Sequence, residues 1–158
     1  MAGIKVRPAT WWDLPASLRQ TVASVRQDYG FYPPSVQQQI MARNSLGSLA
    51  RTKLHRNRLI LAAVYQGQLA GQLIGVLDSD NVAIINWLFV DPALRGGGVG
   101  RALLEDFEAR LRDLPVHKMM LWTEVAAEYY KKLGWIEEAV LPRHWWGQDF
   151  SVLAKYIK

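Results

Sequence analysis

Between an unbroken apolar run, VAIINWLFV (residues 82–90), and an amphipathic run that begins at Arg101, the chain places four glycines in five positions, GGGVG at 96–100. Glycine tolerates positive φ and lets backbone approach a ligand closely. A helix that follows it aims unpaired N–H groups and a positive dipole end at whatever lies before it. Strand, tight turn and helix N-terminus in that order make an anion-binding device, and the rest of the chain has to fold around it. Phosphate is the first candidate, carried by a dinucleotide, a nucleoside triphosphate or coenzyme A. The formal net charge of +5 favours an anionic ligand, whether nucleic acid, a membrane surface or a small phosphorylated cofactor.

Spacing separates these ligands. A dinucleotide fingerprint needs glycine at its first, third and sixth positions, but counted from Gly96 or Gly98 the sixth position is Arg101 or Leu103. Glu124 only approximates the acid expected further on. A P-loop closes with Lys followed by Ser or Thr, and here Arg101 and Ala102 follow Gly100. Both patterns fail.

The length of 158 residues suits one domain over 1–158 with a real core. No apolar run reaches the roughly 18 residues needed to span a bilayer. The start, MAGIKVRPAT, has no signal-peptide pattern, so a cytoplasmic protein without a membrane partner is expected. The absence of cysteine excludes a disulfide framework, a thiolate zinc site and a cysteine nucleophile. His55, His117 and His144 show no metal-ligand spacing, so no metal is expected.

Along the chain, Leu14, Leu18, Val22, Val25 and Tyr29 recur at helical spacing after Thr10 and Asp13. GFYPPS then breaks the pattern. Pro33 and Pro34 can open a second helix with Val36, Ile40, Met41 and Leu49 on one side. RLILAAVYQGQLAGQLIGVL reads as a hairpin around Gln66-Gly67-Gln68. VAIINWLFV is apolar on both alternating faces, Ile84, Leu88 and Val90 against Ile85, Trp87 and Phe89, as in a central strand covered on both sides. The helix after the glycines turns Leu103, Leu104, Phe107, Leu111 and Leu114 inward. HKMMLWT is a further strand, AAEYYKKLG a short helix, and the tail two strands around WWGQD. The order β-α-α-β-β-β-α-β-α-β-β makes an α/β (α+β) fold, a mixed sheet of about seven strands with helices on both faces.

The motif left by elimination is Arg95-x-x-Gly98-x-Gly100, preceded by LFVDP. It resembles the pyrophosphate-binding segment of the GNAT superfamily of acyl-CoA-dependent N-acetyltransferases. Val90, Pro92, Arg95, Gly96, Gly98, Val99, Gly100 and Leu103 fall in register with V-x-P-x-x-[RQ]-[RG]-x-G-[IVL]-G-x-x-L. Downstream, LWTEVAAEYYKKLGW resembles a second family segment, with Leu121, Thr123, Ala126, Tyr129, Tyr130, Lys132, Gly134 and Trp135 in register. The two matches stand in the right order. The resemblance covers roughly residues 58 to 158, and implies a mostly antiparallel central sheet.

The resemblance implies acetyl-CoA as co-substrate. Two parallel strands would splay after Val90, with pantetheine on the backbone of Leu88, Phe89 and Val90. The pyrophosphate would rest on the amides of Arg95, Gly96, Gly97, Gly98, Val99 and Gly100 and the start of the Arg101 helix. An amine attacks the thioester directly in a ternary complex, a strand N–H near Phe89 or Val90 holds the carbonyl oxygen, and Tyr130 protonates the sulfur. Tyr129 and Tyr130 are adjacent on a helix, so one faces the core and one the cleft; the family pattern assigns the cleft to Tyr130. Lys131 and Lys132 either touch a phosphate or continue a basic face.

The general base is less defined. Several family members carry a carboxylate where this chain has Ile84, and the same face next offers Asn86; neither can take a proton at neutral pH. Glu124, after the fifth strand, is the best candidate, with ordered water, backbone carbonyls or an amine that arrives neutral as the alternatives. In this fold the YGFYPPS and PRHWWGQD loops wall the acceptor. Tyr29, Phe31, Tyr32, Trp145 and Trp146, with Asn86, would suit an apolar or aromatic amine, a cationic group over a π face or a peptide end, or else pack on the core or at a homodimer contact. Arg143 and His144 could meet a carboxylate on the acceptor. Two rival readings remain: a catalytically idle acyl-CoA sensor, and a basic nucleic-acid module, for which RTKLHRNR is the one concentrated patch. A small-molecule or peptide amine, rather than nucleic acid, is the expected partner.

Overall fold

The computed structural model describes residues 3–157. Lys5–Pro8 is strand β1, and a turn of 3-10 helix (Trp11–Asp13) leads into helix α1, Leu14–Asp28. Asp13 ties this corner together. Its carboxylate accepts from Arg7 at 2.7 and 3.1 Å and from the amide and hydroxyl of Thr10 at 2.6 and 2.7 Å. The Arg7 hydrogen bond, against the opposing effect of burial, brings the Asp13 carboxyl down to about 2.

The buried side of α1 is Leu14, Ser17, Thr21, Ser24 and Val25, whereas Leu18 and Val22 are only half-buried. The apolar stripe expected from spacing is therefore rotated, and a polar partner is the reason. Gln72, fully buried in the sheet, donates from Nε2 to the Ser17 carbonyl (3.3 Å) and to Thr21 Oγ1 (3.2 Å). A buried amide needs such partners, and small hydroxyl residues let the helix come close enough to supply them.

The segment expected as one second helix is two, α2 (Pro34–Arg43) and α3 (Leu46–Leu54). Asn44 Nδ2 donates back to the Ile40 carbonyl at 3.0 Å, closing α2. Ser45 is extended and its hydroxyl accepts from the Ser48 amide at 3.4 Å, starting α3 with a side-chain cap. Leu49 thus sits on a different helix from Val36 and Ile40.

β2 (Arg58–Tyr65) and β3 (Gln68–Leu77) pair around Gln66-Gly67, both at positive φ, as a two-residue hairpin requires. β4 (Val82–Val90), α4 (Val99–Leu111), β5 (Lys118–Thr123), α5 (Ala127–Lys132), β6 (Ile136–Leu141) and β7 (Phe150–Tyr156) follow. Helix α4 stops short of Leu114, which is exposed. Among the described residues, seven strands form one sheet in the order β1-β2-β3-β4-β5-β7-β6, antiparallel except between β4 and β5.

Alternate residues of each strand feed opposite faces. Leu61, Leu73, Met119 and Leu121 pack with Leu103, Phe107 and Leu111 of α4 and Tyr130 of α5. Ile60, Ala62 and Ile74 pack with Leu14 of α1 and Leu49 of α3. Helices cover both faces, as the sequence implied. Among the described residues, no helix is long and apolar enough to cross a membrane.

β4 departs from strict alternation. β3 pairs Ile74 with Trp87 but Gly75 with Ile85, so Asn86 is the extra residue of a β-bulge. The bulge resets the phase: Ala83 and Ile85 before it share the α4 core with Leu88 and Val90 after it, and Trp87 turns to the clusters under α1 to α3. Simple alternation had grouped Ile85 with Trp87. The bulge also ends the parallel ladder early. β4 and β5 pair only at Val82–Lys118, Ala83–Met119 and Ile84–Met120, so the strands part at Ile84 and not after Val90.

Candidate active site

Where β4 and β5 part, a cavity of about 680 Å³ opens. Its walls are β4 from Ile85 to Val90, the glycine loop, Tyr129 and Tyr130 of α5, and Ser24 and Asp28 of α1. A second cavity, about 350 Å³, lies beside it beneath α2, α3 and the β6–β7 connection. Tyr29, Asn86, Trp87 and Trp122 line both, so the two spaces meet across the bulged strand and the end of β5.

The glycine loop is built by backbone requirements. Asp91 Oδ1 accepts from the Ala93 amide at 3.0 Å and caps a 3-10 turn, Pro92–Leu94. Gly96 and Gly98 then adopt φ of 75° and 86°, the left-handed region that other residues enter at a cost. A Cβ built on either would meet nothing within 4 Å, so the space above them is open. Gly98 is the N-cap of α4, whose first amides have no intrahelical acceptor. Open space over bare backbone, at the positive end of a 13-residue helix, fits a pyrophosphate.

Side chains frame this loop in ways the spacing did not show. Arg95 donates two parallel hydrogen bonds to Asp28 (2.9 and 2.7 Å) and a third from Nε to the Val90 carbonyl (3.2 Å), so its guanidinium joins the loop to α1. Asp28 also accepts from Ser24 Oγ at 2.9 Å. Burial works against the Asp28 charge, yet the Arg95 and Ser24 hydrogen bonds prevail and hold its carboxyl below the ordinary range. Arg101 lies at the cleft edge, paired with Glu105 at 2.7 Å, and Lys131 pairs with Glu128 and Glu137.

Both tyrosines of α5 line the cleft, so the expected division between core and cleft does not hold. Tyr130 is 7% exposed, its ring edge-on to Trp135 (5.5 Å between centroids) and to Tyr129 (5.2 Å). Burial, with Tyr129 and Tyr29 nearby, raises its hydroxyl above the ordinary value, so it carries its proton at neutral pH. Among the described residues no protein group bonds that hydroxyl. Tyr129 is 39% exposed, and a Cβ built on Gly100 would lie 2.6 Å from its Oη, which places that hydroxyl over the start of α4.

On the other side, Glu124 lines the smaller cavity and accepts from Tyr32 Oη at 3.3 Å. Burial raises its carboxyl above the ordinary range, with the Tyr32 hydrogen bond acting in the opposite direction. Tyr29 and Asn86 line both cavities and Trp145 lines the smaller one. Tyr32 is buried and bonded to Glu124, and Phe31 lies against the Tyr32 ring at 4.4 Å; neither is among the residues that line the two cavities. Trp87, Trp122, Arg43 and Arg58 also line the smaller cavity, a place the sequence did not assign to them. For Trp122 a signal existed: Met119, Leu121 and Thr123 alternate into the core, leaving Trp122 on the opposite face.

The same fold recurs in known proteins. A structure of PaiA N-acetyltransferase from Thermoplasma acidophilum, in complex with coenzyme A, superposes with a TM-score of 0.84 at 19% identity, over 98% of this chain and 99% of that one. Spermidine N-acetyltransferase from Vibrio cholerae, with CoA and spermine, gives 0.78 at 17% identity, over 99% and 97%. The ribosomal-protein-S18-alanine N-acetyltransferase of Escherichia coli gives 0.75 at 21% identity, over 98% and 94%. Sequence comparison with curated proteins finds no match. The model of the acetyltransferase (GNAT) family matches residues 22–135, from within α1 to Trp135 and so across both the glycine loop and the tyrosine pair. By that match the chain belongs to the acetyltransferase (GNAT) family.

Proposed function

We propose that the protein transfers an acetyl group from acetyl-CoA to a primary amine, by direct attack within a ternary complex. The observation that carries this reading is the pair of cavities meeting across Asn86, Trp87 and Trp122. One suits a phosphorylated thioester and the other an acceptor, with a common wall where sulfur, carbonyl and amine can come together. The pyrophosphate lies on the backbone of the 95–101 segment, and pantetheine runs along the β4 backbone at Leu88 to Val90, which β5 has left unpaired.

Chemistry then follows from the groups at that wall. The attacking amine must be neutral, and Glu124, or water beside it, takes the proton. A β4 amide near Phe89 or Val90 holds the carbonyl oxygen as it gains charge. The N–C bond forms, the C–S bond breaks, and Tyr130 gives its proton to the departing sulfur. Tyr130 suits that step because it lines the cleft and, among the described residues, its hydroxyl has no protein partner; a phenol carries its proton at neutral pH, and the upward shift from burial makes it a weak acid.

Calorimetric titration with acetyl-CoA, followed by an assay of CoA thiol release against a panel of amines, tests the reading. Saturable binding and amine-dependent release are expected. Binding with no release for any amine would make the chain an acyl-CoA sensor, and no binding at all would remove the cofactor assignment.

A further inference from the structure

We propose that the acceptor is a small anionic amine: a primary amine on a large apolar or aromatic body that also carries a carboxylate, as in an amino acid. This rests on the acetyltransferase reading and names its substrate class. The acceptor cavity, about 350 Å³, is near the lower end of small-ligand pockets. Its apolar walls are Trp87, Trp122, Trp145 and Trp146, flat faces suited to an aryl or large alkyl body.

The polar groups around those walls are unbalanced in sign. Arg43 and Arg58 line the cavity, and its one carboxylate is Glu124. Arg43 lies over the Trp146 ring at 5.6 Å, which holds the guanidinium at the wall. Among the described residues neither Arg43 nor Arg58 has a carboxylate partner, whereas Arg95, Arg101 and Arg110 each do. Tyr29, Asn44, Ser48, Thr52 and Asn86 add only neutral polar groups to the lining. Two cationic side chains against one carboxylate match a ligand with one amine and one anionic group. A polyamine would set its charges against the two arginines.

In this proposal the amine lies beside Glu124, which follows directly on β5, and the carboxylate lies beside Arg43 and Arg58. Arg143 and His144, the residues expected to meet an acceptor carboxylate, do not line the cavity. The Arg143 amide is bonded to Asp149, and His144 packs on Trp145 and Phe150. The transfer step is unchanged: the N–C bond forms, the C–S bond breaks, and the carboxylate is a handle that does not react.

Matched pairs test this. With acetyl-CoA saturating, phenylalanine and tryptophan should exceed phenethylamine and tryptamine in kcat/KM by about tenfold or more, the scale of one charge-assisted hydrogen bond. In R43A/R58A that ratio should fall toward one, and in R43K/R58K most of it should return. A ratio near one in the unaltered protein, a ratio untouched in R43A/R58A, or faster turnover of spermidine or of a peptide N-terminus would each overturn the proposal. Binding separates it from the transferase reading. N-acetylphenylalanine should bind the CoA-loaded protein about tenfold more tightly than N-acetylphenethylamine, whether or not any amine is turned over. Equal affinities overturn the anionic acceptor, while absent CoA release alongside that difference overturns transfer alone.

Discussion

The glycine-loop cleft and the tryptophan-lined cavity share a wall but are built by different means. The first is mainly backbone: the opened edge of β4, two glycines at positive φ and the start of α4, all within residues 85–101. The second is assembled from side chains of α2, α3, β2, β3, β4, β5, β7 and the β6–β7 connection. A ligand read by backbone needs particular φ angles and bare Cα atoms, which only certain residues allow, so it leaves a spaced motif. A ligand read by side chains from so many elements leaves none.

That contrast can be broken at its strongest point. Gly98→Val introduces a Cβ at φ 86° into the open space over the loop. Strain and lost contact together should raise the Kd for acetyl-CoA by roughly 10²-fold. Gly75→Ala is the counterpart: its Cβ would lie 2.3 and 2.4 Å from ring atoms of Phe107, so overpacking lowers Tm. The Kd of the folded protein should stay unaltered. If both glycines behave alike, the loop is structural and the comparison fails.

Next comes the chemistry at the shared wall. Tyr130→Phe should lower kcat by roughly 10²-fold or less, the low end for a general acid, because a thiolate already leaves well. Acetyl-CoA affinity, read by calorimetry, should not move. Unchanged kcat where chemistry limits turnover would take Tyr130 out of this role.

Glu124 sharpens the acceptor side. Its carboxyl is raised, so as a base it loses function when pH falls through that elevated value, and kcat/KM should decline on this acid limb. Glu124→Gln should lower kcat/KM by roughly 10-fold at alkaline pH and abolish the limb. A profile identical to that of the unaltered protein would leave water or a backbone carbonyl as the proton acceptor.

The smallest effect is expected where the two builds touch. Asp28→Asn keeps a polar partner for Ser24 and removes a charge from the cleft, releasing Arg95 toward the pyrophosphate. Partly exposed pairs of this kind are worth about 1 kcal/mol or less, so acetyl-CoA should bind about threefold more tightly at low salt. High salt should erase the difference. Weaker binding would mean that the Arg95–Asp28 pair orders the loop for its ligand.

Legibility followed the same divide. The hairpin at Gln66-Gly67, the β4 and α4 runs and the glycine loop between them were readable because each is set by neighbours in sequence. Errors arose where a distant partner intervened. Gln72 drew the Ser17–Thr21 side of α1 inward against its apolar stripe. A cap at Ser45 divided the second helix where spacing alone ran on. Asn86 reads as an ordinary strand residue, yet its bulge shifts the side-chain phase of β4 and opens the cleft at Ile84.

By itself, then, the sequence determined the sheet with helices on both faces and the anion loop with the family it marks, because these depend on local periodicity and on backbone angles few residues adopt. Only the tertiary structure decided that Arg95 meets Asp28 and that both tyrosines reach the cleft. It alone brought four tryptophans and two arginines around Glu124. Those contacts join residues far apart in the chain, and no spacing within one element encodes which side chains a folded sheet will bring face to face.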